Sequence, residues 1–328
     1  MFDLITIGDS TIDTFVPLTE AKVSVAEGEP KLILPFGDKV PVGPPTSTVG
    51  GNAANSAVGS ARLKLKTAIY TSVGNAGDDR DDDRIKNKLK KEGVDTRYVI
   101  ESDELPSEHH IVLTYQGERT ILVYHQPWRY NLPELEKTKW VYYTSLAPHF
   151  PKTDIVPQIC SYLERSGAKL LYNPGTFQIK YGVKKFPRLL SLTEVFITNL
   201  EEAKIILGFK EGEKIAPKKL LSGIADLGPR LVVITDGGEG SYGFDGQKYF
   251  KLGVFPANLV EMTGAGDAFA TGVLSGLFHG NDLSEAMRWG AANGAAVAGQ
   301  FGPQTGLLTY SKMQEKLKEN SGVKAKEI

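Results

Sequence analysis

The chain has 328 residues, of which 41% are hydrophobic and 23% charged, and its formal net charge is -1. These values are ordinary for a globular protein that can bury a sizeable core, and they give no basic field that would argue for nucleic acid as a partner. The single cysteine, Cys160, excludes an intramolecular disulfide and a cysteine-cluster zinc site. No signal peptide and no apolar run of roughly 18 residues is visible, so we expect a cytoplasmic protein without a membrane partner.

The N-terminal segment combines a short strand with a long excursion. Residues 4–8 are β-prone and predict the first strand, and Asp13 follows the carboxyl end of that strand. Ligands collect at this edge of open α/β sheets, so Asp13 is a candidate acceptor for a ligand hydroxyl, although a turn-forming aspartate explains it equally well. Residues 15–49 contain six prolines and little helical periodicity. We expect strands and turns of a lid or accessory sheet here.

A glycine-asparagine motif opens the first predicted helix. Residues 50–55 read Gly-Gly-Asn-Ala-Ala-Asn, and the helix extends to about residue 63. Asn52 and Asn55 are three residues apart and share one helical face. Their amides both donate and accept hydrogen bonds, which suits sugar hydroxyls. A helix cap would account for Asn52 but not easily for Asn55.

Two β-prone runs predict a hairpin in the same accessory sheet. Residues 110–115 and 120–125 flank Gln-Gly-Glu-Arg at 116–119, which is typical of a hairpin turn. Three histidines lie in or beside these runs without a recognisable metal-ligand spacing, so we expect them on the lid surface or in packing: His109, His110 and His125.

From residue 140 onward, strands alternate with helices. The predicted strands are residues 140–144, 169–172, 195–198 and 231–235, and the predicted helices are 154–166, 201–207, 218–226 and 283–300. This alternation predicts a parallel sheet covered by helices on both faces.

A glycine-rich turn before a late helix is the strongest single signal. Residues 252–255 predict a strand, and residues 268–278, apolar and rich in small side chains, predict a helix. The turn between them contains Gly264, Ala265 and Gly266. Free backbone N–H groups and the helix dipole favour an anion at such a turn. Asp267, within the first helical turn, is a candidate base for an attacking hydroxyl, and a helix-capping role is the equal alternative.

Several common nucleotide-binding signatures are absent from the sequence. There is no G-x-x-x-x-G-K-[ST], which excludes a P-loop enzyme. The first strand is followed by Gly-Asp-Ser-Thr and not by G-x-G-x-x-G, which argues against a dinucleotide dehydrogenase. The H-R-D and D-F-G motifs of protein kinases are also missing.

Four motifs together resemble those of the ribokinase-like (PfkB) carbohydrate kinases. They appear in the family's order and cover nearly the whole chain: residues 50–55, 199–202 (Asn-Leu-Glu-Glu), 235–240 (Thr-Asp-Gly-Gly-Glu-Gly) and 263–267 (Thr-Gly-Ala-Gly-Asp). The resemblance implies a three-layer α/β/α sandwich with a mostly parallel central sheet. It also implies one kinase domain, residues 1–328, with a small β-sheet lid formed by about residues 14–49 and 106–127.

The same resemblance implies roles for individual residues. The protein would transfer a phosphoryl group from ATP to a hydroxymethyl group of a sugar or sugar-like molecule, with Asp267 as the general base. The amides of Gly264, Ala265 and Gly266 would form the anion hole. Substrate hydroxyls would be bound by Asp13, Gly51, Asn52 and Asn55. The nucleotide would be bound by Asn199, Thr235, Gly237 and Gly240, with Asn293 as an adenine contact. Mg²⁺ would be held by Asn199 and Glu202, partly through water.

Two departures from the family pattern bear on cation and substrate. Glu261 stands where the family usually has an aspartate that helps to form a monovalent-cation site in some members, so activation by K⁺ is left open. Residues 172–176 lack the arginine that several keto-acid sugar kinases carry a little further on. That absence argues against an acidic sugar.

Two alternative functions remain at this stage. A nucleoside kinase of the adenosine or inosine type could stack a base on Tyr124 or Trp128. A catalytically silent sugar-binding sensor is disfavoured by the presence of Gly266 and Asp267. The sequence leaves the substrate, the preferred phosphoryl donor and the oligomeric state open; we expect a monomer or a homodimer formed through the lid edge.

Overall fold

The computed structural model describes residues 1–26, 29–76, 81–210 and 212–328. Its strands are β1 (Phe2–Ile7), β2 (Thr11–Pro17), β3 (Lys22–Ala26), β4 (Glu29–Ile33), β5 (Thr46–Gly50), β6 (Thr67–Gly74), β7 (Asp95–Ser102), β8 (Glu108–Tyr115), β9 (Glu118–Tyr124), β10 (Thr138–Tyr143), β11 (Lys169–Tyr172), β12 (Thr193–Asn199), β13 (Leu231–Thr235), β14 (Ser241–Phe244), β15 (Tyr249–Leu252) and β16 (Lys326–Glu327). Its α-helices are α1 (Asn52–Arg62), α2 (Asp81–Lys91), α3 (Ile155–Ser166), α4 (Thr176–Tyr181), α5 (Pro187–Ser191), α6 (Leu200–Leu207), α7 (Pro217–Ala225), α8 (Ala265–Phe278), α9 (Leu283–Ala298) and α10 (Tyr310–Glu319).

The central sheet has ten strands in the order β16-β15-β14-β13-β12-β11-β10-β1-β6-β7. Neighbouring strands pair in parallel along the part of the sheet that runs β13-β12-β11-β10-β1-β6-β7. Strands β14, β15 and β16 extend the other edge with antiparallel pairing. Side chains alternate between its faces: Ile5 and Val141 pack in one core with α3 to α7, whereas Leu4 and Tyr142 pack in another with α8 to α10. Helices thus cover both faces, and the predicted three-layer sandwich is confirmed. No described helix has the length and apolar character to cross a bilayer.

A second sheet of four strands, in the order β5-β2-β8-β9, stands apart from the central sheet, and we call it the cover sheet. It is built from the two segments predicted to form a lid, although β2 begins at Thr11, before the predicted start. Strands β3 and β4 form a separate two-stranded ribbon. Residues 27 and 28, inside the first predicted segment, lie outside the described residues. That the cover sheet serves as a lid, and that the chain is one kinase domain, stay predictions.

The hairpin of the cover sheet is tighter than the sequence indicated. Strand β8 ends at Tyr115 and β9 begins at Glu118, so the turn consists of Gln116 and Gly117 alone, with φ of 51° and 83°. Two positive φ angles in a two-residue turn match the right-handed twist of the flanking strands. Arg119 therefore belongs to the strand, opposite Thr114, and not to the turn as predicted.

The segment that leads into α8 also differs from the prediction. Strand β15 ends at Leu252, so residues 253–255 are not a strand, and an irregular segment leads to α8. Helix α8 begins at Ala265, three residues before the predicted start, and Asp267 lies in its first turn. The apolar residues that suggested a strand are used instead in packing: Phe255 is buried against the core of α8 and α9.

Arg62, in the last turn of α1, joins three segments that are distant in sequence. Its guanidinium donates two hydrogen bonds of 2.8 Å to Glu92 and bonds of 2.9 and 3.0 Å to the carbonyls of Gln304 and Leu307. The Arg62 hydrogen bonds lower the pKa of the Glu92 carboxyl to about 2, against the opposing effect of burial. Because this pKa is lower than in the unfolded chain, the stabilisation is present above about pH 4.5 and is lost as pH falls towards 2.

We expect Arg62→Ala to lower the free energy of unfolding by about 2 kcal/mol at pH 7, because partly buried acceptors lose a charged donor. Arg97→Ala is the matched control, since Arg97 also pairs with carboxylates but is exposed, and its removal should change little. Urea unfolding at pH 7 and pH 3 measures both. An equal loss for the two variants, or a loss for Arg62→Ala that does not shrink at pH 3, would contradict this account.

Candidate active site

The N-termini of α1 and α8 meet at the candidate site because small residues allow the two helices to pack closely. Gly51 caps α1 with φ of +87°, and a Cβ there would lie 2.6 Å from the Asp9 carbonyl oxygen. At Gly59, further along α1, a Cβ would lie 2.8 Å from the Thr271 side chain of α8. Gly51 therefore allows close approach of backbone to backbone, and Gly59 leaves room for a side chain of the neighbouring helix.

Asp267 is the central side chain of the site. It is only 8% exposed, and its two carboxylate oxygens accept hydrogen bonds from Asn52 Nδ2 at 2.9 Å and Asn55 Nδ2 at 2.8 Å. Burial raises the pKa of Asp267 to about 7; the amides of Asn55 and Asn52 oppose this rise, and the nearby Asp13 adds to it. The protonated carboxyl thus favours the folded state, and this stabilisation is lost as pH rises through 7. A carboxyl with this pKa can take up and release a proton near neutral pH.

The two asparagines that the sequence suggested as sugar ligands hold this carboxylate. Both donate through their side-chain amides to Asp267, across more than 200 residues of chain. Asn55 is in turn oriented by Gln304, whose Nε2 donates to Asn55 Oδ1 at 3.0 Å. Gln304 belongs to no sequence motif, and only its position in the fold reveals its role.

The start of α8 offers unpaired backbone donors. Gly264 has φ of +79°, and a Cβ there would lie 2.6 Å from Pro303 Cβ, so the position requires glycine. The Ala265 N–H donates to the Met262 carbonyl at 3.2 Å. Within the described part of the chain, no hydrogen bond is made by the N–H groups of Gly264, Gly266 and Asp267. The predicted anion hole therefore has its free donors at Gly264 and Gly266, while Ala265 closes the turn.

Two cavities meet at this helix terminus. One, of about 430 Å³, is lined mainly by small and apolar residues between β13, the segment before α8, and α9. The other, of about 440 Å³, lies between the cover sheet and the carboxyl ends of the central strands, and Asp267 lines it. Both cavities are lined by Thr235, Met262 and Gly266.

The predicted sugar ligands line the second cavity, which we call the cover-side cavity: Asp13, Gly51, Asn52 and Asn55. Asp13 is 5% exposed and accepts a 2.6 Å hydrogen bond from Thr11 Oγ1. Gly50 makes room for this carboxylate, because a Cβ there would lie 2.1 Å from Asp13 Oδ2. A buried acceptor in this position can bind a ligand hydroxyl.

The predicted nucleotide ligands divide between the cavities. Gly237 and Gly240 line the apolar cavity, and Thr235 lines both. Asn293 lines neither cavity: it is fully buried, donates to the Ala268 carbonyl at 2.8 Å and accepts from the Leu308 N–H at 3.0 Å. One end of its amide joins α9 to α8 and the other holds the segment before α10, so the structure does not place Asn293 as an adenine contact.

Asn199 and Glu202 line the cover-side cavity and form the capping box of α6. Asn199 Oδ1 accepts from the Glu202 N–H at 2.8 Å, and Glu202 Oε2 accepts from the Asn199 N–H and the Thr198 hydroxyl. Glu202 Oε1 has no hydrogen bond among the residues that the structure describes. One exposed carboxylate oxygen on a rigid helix start fits a hard cation such as Mg²⁺.

Glu261 presents a second carboxylate with an unused oxygen. It is 5% exposed, and its Oε1 accepts from the Thr263 N–H at 2.6 Å. Its Oε2 is buried without a hydrogen-bond partner in the described part of the chain. Because a buried carboxylate oxygen left unpaired is costly, this position is compatible with a bound cation.

The histidines of the cover sheet are more closely associated than the sequence indicated. His110 and His125 lie with Glu108, and their potential ligand atoms are all within 4.8 Å of one another, a grouping that could hold a metal ion. The prediction that these two have no such neighbours was wrong, because it overlooked Glu108, which starts β8. His109 points to the other face and bonds to Thr14 Oγ1 at 2.8 Å.

Paired cavities that meet beside unpaired N–H groups and a base-like carboxylate define a phosphotransferase with an alcohol acceptor. The family comparison makes the class specific: the model described as pfkB family carbohydrate kinase matches residues 18–309, and the chain belongs to this family. It is thus an ATP-dependent carbohydrate kinase.

Individual relatives agree with this membership. The chain is 27% identical over 292 residues to a 5-dehydro-2-deoxygluconokinase of Shouchella clausii, covering 84% of this chain and 87% of that protein. It is 28% identical over 275 residues to a ribokinase of Bacillus subtilis, covering 82% and 87%. The solved structure of Arabidopsis thaliana ribokinase complexed with ribose and ATP has the same fold, with a TM-score of 0.77, 20% identity and coverage of 97% of this chain and 99% of that chain.

We expect the Asp267 carboxyl to titrate near pH 7, and its pKa to rise further in Asn55→Ala, because a donor to the ionised form is lost. NMR of protein labelled at the aspartate carboxyl carbons measures both values. Asn131→Ala, a surface asparagine outside the site, is the control. An unchanged or lowered pKa in Asn55→Ala would show that this amide does not support the carboxylate.

Proposed function

We propose that the protein transfers the γ-phosphoryl group of ATP to a hydroxymethyl group of a sugar or sugar-like molecule. The observation that carries the proposal is the junction of the two cavities at Gly266, directly beside the buried carboxylate of Asp267. The apolar cavity would take the nucleotide, with Gly237 and Gly240 against it. The cover-side cavity, where Asp13 and Asp267 offer acceptors, would take the sugar.

In this mechanism Asp267 removes the proton of the acceptor hydroxyl. Its pKa of about 7 leaves the carboxyl about half ionised at neutral pH, and the ionised form is the base. The N–H groups of Gly264 and Gly266 stabilise the negative charge that spreads over the migrating phosphoryl group. Asn52 and Asn55 fix the orientation of the carboxylate, while Asp13 and Gly51 bind the sugar.

Two cations are part of the proposal. Mg²⁺ would be held by Glu202 and Asn199, in part through water, and would neutralise charge on the nucleotide phosphates. A monovalent cation such as K⁺ would bind at Glu261, whose buried Oε2 has no partner in the described residues. Neither carboxylate contacts the acceptor in this scheme, so each acts on the phosphate side of the reaction.

Sugars are favoured over nucleosides as the acceptor. Tyr124 is 54% exposed, whereas Trp128 is only 4% exposed. Neither residue lines the cover-side cavity, where a base would have to stack. The names of the two relatives above refer to a sugar acid and to ribose. A catalytically silent sensor would not need a carboxyl that exchanges a proton near neutral pH, as Asp267 can. Measuring ADP release distinguishes such a sensor from a kinase.

We expect Asp267→Asn to reduce kcat by about 10²-fold or more, because the base is lost, while ATP still binds. Sugar-dependent ADP release measures turnover, and calorimetry measures ATP affinity. Asp226→Asn, an exposed aspartate at the end of α7, is the matched control and should retain full activity. Turnover close to that of the wild type in Asp267→Asn would remove this residue as the base.

Cation titrations test the metal assignments. We expect Glu202→Gln to raise the Mg²⁺ concentration required for half-maximal activity, because a carboxylate ligand is replaced by a neutral amide. We expect K⁺ to stimulate the wild type and to lose its effect in Glu261→Gln. Unchanged Mg²⁺ dependence in the first variant, or equal rates in K⁺ and in tetramethylammonium for the wild type, would overturn the respective site.

A further inference from the structure

The strand β9 presents a distinct set of side chains to the cover-side cavity. Every second residue lines it, beginning with Arg119 and continuing through Ile121 and Val123, and His125 follows just after the strand. The alternate residues Leu122 and Tyr124 do not line the cavity, although every residue of β9 is exposed. This alternation is the pleat of a strand, and it follows from the short turn that places Arg119 in β9.

Arg119 is an exposed cation, and no described residue supplies it with a counter-charge. Its side chain has neither a hydrogen bond nor an ion pair among the described residues, although it lines a cavity. By contrast, Arg62, Arg188 and Arg230 each pair with a carboxylate. A guanidinium is a rigid fork of donors that matches the two oxygens of a carboxylate or phosphate. An unpaired fork in a ligand cavity is therefore an available anion receptor.

Two imidazoles extend this receptor. His125 Nδ1 lies 2.9 Å from Oε2 of the fully buried Glu108, whose Oε1 accepts from the Gln126 N–H. The contact with Glu108 holds the ring in place, and when both ring nitrogens carry a proton, Nδ1 donates to Glu108 and Nε2 can donate to a ligand anion. His110 is adjacent, with its ring centroid 5.3 Å from that of His125. Its Nδ1 lies 3.4 Å from Asp13 Oδ1, and its Nε2 is buried without a partner among the described residues.

The opposite wall of the cavity has the opposite character. Asp267, at the start of α8, lines it and would repel an anionic group placed beside it, whereas Asp13 lies on β2 of the cover sheet itself, with its Oδ1 3.4 Å from His110 Nδ1. A substrate that carries a negative charge is therefore oriented in one way only. Its charged end is directed to the cover sheet and a hydroxyl is directed to Asp267.

We propose that the acceptor is an anionic sugar, whose carboxylate or phosphate ester is bound by Arg119 with His125 and His110. This inference rests on the proposed kinase function and specifies its substrate class. It reverses the argument that the sequence made against an acidic sugar from residues 172–176, because the required cation is supplied by a strand of the cover sheet.

Matched pairs of acceptors test the inference by ADP release from ATP. D-gluconate is compared with D-glucitol, and D-ribose 1-phosphate with D-ribose, so that the two pairs separate a carboxylate from a phosphate. We expect kcat/KM to be about tenfold or more higher for the anionic member of at least one pair, the effect of one charged hydrogen-bonded contact. Phosphorylation with neutral members preferred in both pairs would overturn the inference and leave the kinase function intact.

Variants assign the preference to its residues. Arg119→Ala should reduce the ratio of anionic to neutral kcat/KM by about tenfold through KM, and Arg119→Lys should reduce it less, because the charge remains without the fork. Arg129→Ala, an exposed arginine outside the cavity, is the control for Arg119. His125→Gln should also reduce the ratio, and His109→Gln, on the outer face of the same sheet, should not. A ratio unchanged in Arg119→Ala would overturn the assignment.

A binding experiment keeps the two proposals separable if no acceptor is phosphorylated. Calorimetry then measures the affinity of each of the four compounds for the wild type and for Arg119→Ala. Preferential binding of an anionic member that is lost in the variant supports the anion subsite and counts against the kinase function with this class. Equal or absent binding of all four compounds overturns the anion subsite.

Discussion

The site depends on one constraint: the Asp267 carboxylate is kept nearly out of water in the first turn of α8. Burial alone would hold the Asp267 carboxyl protonated, and the two amide donors from α1 offset this only in part, which leaves its pKa at about 7. The amides reach it only because α1 and α8 begin side by side. Between the helices, Gly59 of α1 leaves room for the Thr271 side chain of α8, while Gly51 and Gly264 allow the chain to enter each helix against the Asp9 backbone and Pro303.

The polarity of the two cavities follows from the elements that form them. The apolar cavity is formed by small residues of α9 and by the irregular segment before α8, which has no regular hydrogen bonding of its own. The cover-side cavity is closed by a sheet whose strands come from two separate insertions, so its side chains can be substituted without altering the central sheet. Substitutions on the cover sheet could therefore change which substrate binds while the catalytic base on α8 stays the same.

The sequence predicted the elements whose pattern is local. The alternation of apolar strands and helices after residue 140 gave the parallel sheet, because buried strands and amphipathic helices have distinct periods. The glycine-rich motifs indicated where α1 and α8 begin, because glycine is favoured in the tight turns that precede such helices. Asn52 and Asn55 line the cover-side cavity, as candidate sugar ligands would, but their partner Asp267 is more than 200 residues away, and no local pattern reveals such a pairing. The fully buried position of Asn293, which bonds to Ala268 and Leu308, likewise depends on helix packing that a local pattern does not show.

The errors on the cover sheet share one origin. Whether a residue faces a cavity depends on where the turn ends, and a shift of two residues at the hairpin moved Arg119 from a turn into a strand. Likewise, Glu108 joins His110 and His125 only through the register of β8 with β9 and the chain that follows. Strand register is a tertiary property, so charge placement in this cavity could not be inferred from spacing.

The most direct test of the central claim is a crystal structure with a non-hydrolysable ATP analogue and an acceptor sugar bound together. The account predicts the terminal phosphate against the N–H groups of Gly264 and Gly266, and an acceptor hydroxyl about 2.6–3.2 Å from an Asp267 carboxylate oxygen. A nucleotide bound outside the apolar cavity, or a sugar whose hydroxyls all lie beyond hydrogen-bond reach of Asp267, would contradict it.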